Sequence, residues 1–120
     1  MTDTAPVTTA RDRLLSDDVG THPLADLPLD PTSIVAGRPR AGLVELGTVG
    51  GATVGVWELG EGTVTDTETD EVFVVVAGRG SVAFADGSTL DLSPGVVVRL
   101  HAGDTTTWVV TEALRKVWLA

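Results

Sequence analysis

The chain has 120 residues, 42 % of them hydrophobic and 21 % charged, which leaves room for one hydrophobic core and excludes a second sizeable domain, wholesale disorder and a membrane-spanning class. A formal charge of −9, from 17 acidic against 8 basic residues, repels phosphate backbones and anionic lipid, so neither nucleic acid nor a membrane is expected as a partner. With no cysteine, disulfides, thiolate metal sites and cysteine nucleophiles are excluded together, and any metal would have to be held by His, Asp or Glu.

Residues 1–10 are polar and lack the basic-then-apolar order of a secretory signal, which makes the cytoplasm the expected location. Residues 1–40 carry Pro6, Pro23, Pro28, Pro31 and Pro39 in polar sequence and read as an arm, partly extended or flexible, with a brief helical turn over 10–15. Within it, 24–29 is apolar enough to dock on a sheet or on a partner subunit. From Leu43 onward the pattern becomes short runs of Val, Thr, Leu and Trp broken by Gly, Asp-Gly and Pro-Gly, the signature of an all-β sandwich or barrel. Strands are predicted at 43–46, 52–59, 63–67, 71–77, 80–85, 88–92, 96–100, 105–111 and 114–119. Asp86-Gly87 suits a tight hairpin and Ser93-Pro94-Gly95 a reverse turn, while Gly78-Arg79-Gly80 and Ala102-Gly103-Asp104 mark two more. No phosphate-cradling glycine loop or serine elbow is present, and the acidic run 66–71 lacks the spacing of a calcium loop.

Two stretches carry a family resemblance. Glu71-Val-Phe-Val-Val-Val-Ala-Gly78 resembles the second half of the first cupin motif, where a glutamate precedes a glycine by six residues. Gly95-Val-Val-Val-Arg-Leu-His101-Ala-Gly103-Asp-Thr-Thr106 resembles the second motif, with both glycines in place, His101 at the motif's proline and Thr106 at its histidine. Together with Gly55-Val-Trp57-Glu58, Gly62, Trp108-Val109-Val110 and Leu114-Arg115-Lys116-Val117-Trp118, their order is similar to the cupin subfamily of ethanolamine-utilisation and (S)-ureidoglycine-aminohydrolase-like proteins. The resemblance implies a double-stranded β-helix, a jelly-roll barrel, over 41–120, with 1–40 as an irregular N-terminal arm.

In metal-binding cupins, two histidines and the glutamate of the first motif join the histidine of the second around one divalent transition metal. Carried onto this chain, the glutamate is Glu71, the last histidine is Thr106, and the two leading histidines fall on or near Thr65 and Thr67. Threonine hydroxyls are poor ligands for such ions, so no cofactor is expected. A divalent transition metal, if held, would use Glu71 and His101, with Asp66, Glu68 or Asp70 as further donors.

Strand alternation places Glu71, Phe73 and Val75 on one face, and the resemblance turns that face into the barrel. A buried carboxylate must find a partner or take up a proton. Glu71 is therefore either an acid, base or anchor in a pocket, or half of an ion pair with Arg99 or Lys116. Arg99 and His101 share a face, so both look into the barrel mouth or both look outward. Glu71 and His101 are the catalytic candidates; Trp57, Glu58, Arg99, Thr106, Trp108 and Lys116 are the ligand-binding candidates; His22 is a bystander in the arm. The function expected is binding of a small polar metabolite in the barrel. The alternatives are a hydrolase or isomerase resembling ureidoglycine aminohydrolase with a rebuilt metal site, and a dimeric accessory protein. The common dimerisation of cupins makes a homodimer the expected assembly.

Overall fold

Alternating burial, with Val, Thr and Trp filling the pleat, drives most of the chain into strands. The computed structural model describes residues 9–120. After a 3-10 turn at Arg11–Arg13 come β1 (Ala25–Leu27), a second 3-10 turn (Pro31–Ser33), β2 (Ile34–Gly37), β3 (Ala41–Val49), β4 (Ala52–Leu59) and β5 (Gly62–Thr67). The chain continues through β6 (Glu71–Phe84), β7 (Thr89–Leu92), β8 (Val97–Leu100) and β9 (Thr105–Leu119). Among the described residues no helix is long and apolar enough to cross a membrane.

Strands β6 and β9 form the spine. They pair antiparallel from Val72↔Leu119 to Phe84↔Thr106. The last part of β9 also pairs with β4 (Trp57↔Lys116), and its first part with β5 (Val64↔Trp108). β6 in turn carries β8 along its first half and β7 along its second. The result is one curled, all-antiparallel sheet, the cupin jelly roll that the two motifs imply. Its interior is filled by side chains such as Leu59, Phe73, Val82, Leu100, Trp108 and Leu114, each no more than 2 % exposed.

The structure differs from the sequence expectation where two pairs of short strands become two long ones. Stretches 71–77 and 80–85 are one strand, as are 105–111 and 114–119. Gly78 explains the first fusion: its φ of 87° is open to glycine, and a Cβ there would collide with the Ala113 carbonyl. Register shifts between Val75 and Gly80 mark bulges, so the glycine bends a continuous strand along its neighbour instead of reversing it.

The described part of the arm joins the same sheet. β1 pairs with β3 (Ala25↔Leu43), and β2 pairs with β5 (Gly37↔Gly62). Arg115 fastens the approach: Nη1 donates to the carbonyls of Val19 and His22 at 2.9 Å each, and Nε donates to Glu58 Oε1 at 2.9 Å. The predicted helical turn is the one at Arg11–Arg13. Residues 1–8 of the predicted arm lie outside the described residues.

Candidate functional site

Between the arm and the inner face of β5 and β9 lies an open cleft of ≈ 910 Å³. Residues 27–30 of the arm, with Thr32 and Ser33, form one wall, and Trp57, Trp108 and Trp118 supply aromatic surface. Such a size and such walls suit a small molecule. Because residues opposite one another in a ladder share a face, Lys116 on β9 stands beside Trp57 on β4 and Val75 on β6. From there its ammonium donates to Glu71 Oε2 at 2.6 Å, with the two side chains 6 % and 14 % exposed. The rings of Phe73, Trp57 and Trp108 surround Nζ at 4.3, 4.6 and 4.9 Å to their centroids. Of the two partners the sequence offers Glu71, Lys116 is the one it meets.

A second polar group lies farther along the same wall. The Trp108 indole N–H donates to Thr106 Oγ1 at 3.0 Å, and the Thr106 hydroxyl donates to Glu68 Oε1 at 3.2 Å. Glu68 is 8 % exposed. Burial, reinforced by the Asp66 carboxylate, pushes its carboxyl up to about 7, against the opposing pull of the Lys116 charge. It therefore exchanges a proton near neutrality, as acceptor in one state and donor in the other.

Three sequence candidates lie elsewhere. On β8, Val98 and Leu100 face the core, so Arg99 and His101 both look outward. Arg99 meets Asp70 at the surface at 3.3 Å, and neither residue lines the cleft. Glu58 sits on the outer face of β4 with Arg115, where it holds the arm. Trp57, Thr106, Trp108, Lys116 and Glu71 do line the cleft.

The sequence profile of the EutQ-like cupin domain matches residues 46–118, well over half of the chain. The chain belongs to the EutQ-like cupin family. Among solved structures, it is similar to a putative ethanolamine utilization protein Q from Salmonella typhimurium LT2 at 20 % identity, covering 68 % of each chain with a TM-score of 0.58. A protein of unknown function from Pseudomonas syringae pv. tomato aligns at 22 % identity and TM-score 0.72, over 82 % of this chain and 44 % of its own. EutQ from Clostridium difficile aligns at 21 % identity and TM-score 0.58, over 68 % of this chain and 61 % of its own. This EutQ-like cupin thus spans less than two thirds of the latter two. No curated protein matches.

The residues of this EutQ-like cupin do not fit the metal of the metal-bearing cupins. Register sets Val64 and Asp66 opposite Trp108 and Thr106, and Thr65 and Thr67, on or near which the leading histidines fall, bring only neutral hydroxyls, that of Thr65 donating to the Ser33 carbonyl at 3.3 Å. Glu71 already holds a cation, and Thr106 contributes a neutral hydroxyl. Among the described residues no three of His, Cys, Asp and Glu converge on a point. Glu68, which the sequence offers only as a substitute metal ligand, is the further acidic residue of the cleft wall. It lies in the 68–70 connection, where strand alternation gives no direction, and is turned inward by bonds of its N–H to Asp104 O at 2.8 Å and of its carbonyl to Gly103 N at 2.9 Å.

Proposed function

We propose that this EutQ-like cupin binds a small polar metabolite in the cleft. The observation that carries the proposal is the placement of two polar units, Lys116 with Glu71 and Thr106 with Glu68, on one wall of an open, tryptophan-rich space of ≈ 910 Å³. Aromatic walls contribute area, and a few converging polar groups set orientation. A hydrolase or isomerase reading rests on Glu68 alone, whose carboxyl near 7 suits proton transfer; Glu71 is engaged by Lys116 and His101 faces solvent.

The test is a screen of small metabolites by tryptophan emission, with hits titrated against wild type and Thr106→Val. Trp57, Trp108 and Trp118 all border the cleft, so a ligand there shifts emission saturably. Thr106→Val cuts the affinity about tenfold, the value of one lost charge-linked hydrogen bond. A hit whose affinity Thr106→Val leaves unchanged binds elsewhere and removes the reading.

A further inference from the structure

A carboxylate turned into an apolar barrel needs a cation beside it. In metal-bearing cupins, the resemblance assigns that part to a metal on the glutamate of the first motif. Here the same glutamate, Glu71, meets an ammonium at 2.6 Å. A transition metal would sit roughly 2.0–2.2 Å from a carboxylate oxygen, in the space the ammonium takes up. Two cations so close repel strongly where little water screens them. The rest of the enclosure also favours an ammonium. Three ring faces, of Phe73, Trp57 and Trp108, lie within 4.9 Å of Nζ. Ring quadrupoles attract a weakly coordinating organic cation, whereas a divalent metal needs several oxygen or nitrogen donors.

We propose that Lys116 stands in the metal's place as a built-in cation, and that taking its side chain away exposes a site for a small alkylammonium ion, bounded by Glu71 and the rings of Trp57, Phe73 and Trp108. Wild type is then closed to divalent metal at Glu71. The fit is specific in size: Lys116→Ala removes three methylenes and the ammonium, the atoms that n-propylammonium restores.

The experiment has two arms, both on the full chain. Wild type and Glu71→Gln are titrated with Zn²⁺, Ni²⁺ and Mn²⁺ by calorimetry and by tryptophan emission, since a paramagnetic ion at Glu71 quenches Trp57 and Trp108. The expected result is no saturable response that depends on Glu71; one equivalent of metal bound by wild type and lost in Glu71→Gln overturns the proposal. In the second arm, Lys116→Ala loses roughly 10 °C or more in Tm, and n-propylammonium chloride at roughly 50 mM raises it by several degrees above matched sodium chloride. That rescue is absent in Glu71→Gln/Lys116→Ala. Equal Tm in the two salts, or stabilisation of Lys116→Ala by Zn²⁺ in preference to propylammonium, overturns the proposal. If Lys116→Ala is recovered unfolded, refolding yield in the two salts is the readout, and equal yields overturn the proposal in the same way.

Discussion

Asp70 and Glu71 are neighbours in the chain and carry the same functional group, yet they live in different solvents. Asp70 points out from the start of β6, where it accepts from the Ala102 backbone N–H at 3.1 Å and meets Arg99 at 3.3 Å, with side chains 47 % (Arg99) and 68 % (Asp70) exposed. The Ala102 N–H first, then the Arg99 contact, hold its carboxyl below the usual range. Glu71 points in and meets Lys116 at 2.6 Å among aromatic rings. The pleat alone sends the two to opposite faces. The difference lies in cost more than attraction: water screens the outer pair and replaces either partner, while the inner pair has only itself and the rings around Nζ to offset two desolvated charges.

The inner pair supplies the largest expected effect. Lys116→Met leaves Glu71 buried without a partner and costs about 3–5 kcal/mol in urea unfolding. Adding Glu71→Leu returns stability to within about 1 kcal/mol of wild type, because an apolar pair of similar volume fits the site. A double variant as unstable as Lys116→Met would show that volume, not charge, sets the cost.

The arm sharpens the contrast with an intermediate case. Arg115→Ala removes bonds to Glu58, Val19 and His22 and is expected to cost about 2 kcal/mol. Limited proteolysis then cleaves within 19–24 earlier than in wild type. Unchanged cleavage would mean that β1 and β2 hold the arm unaided.

Glu68 tests the inner environment by pH. Its carboxyl is raised from 4.5 to about 7, so the folded protein keeps a proton that the unfolded chain has released. The associated stability is complete below the unfolded value and is lost as pH rises through the folded one. Wild type therefore loses Tm relative to Glu68→Gln between about pH 4.5 and 7, with the difference level above that. Parallel Tm curves for the two proteins would contradict the burial argument. The smallest effect belongs to the outer pair: Arg99→Ala leaves Tm within about 2 °C of wild type, the behaviour of an exposed ion pair.

Much of this was legible in the sequence because β-structure has a period of two. Alternation put Glu71, Phe73 and Val75 on one face, which the family resemblance turned inward, and tied Arg99 to His101; the structure only had to choose which way the second pair looks. What alternation cannot supply is the direction of residues in connections, so the inward turn of Glu68 was invisible. Nor does it show that Gly78 bends a strand where a turn was expected, since both use the same positive backbone angle. Register is a finer matter still: a shift of one residue changes the face, and it is Asp66 that stands opposite Thr106.

The central claim is that a ligand sits in the cleft against the Lys116–Glu71 pair, and the most direct measurement is the affinity of a screened metabolite for wild type and for Glu71→Leu/Lys116→Met. The account predicts a folded double variant whose affinity falls at least about tenfold, one step of 1.4 kcal/mol. A folded double variant that binds the same metabolite within about twofold of wild type would contradict it.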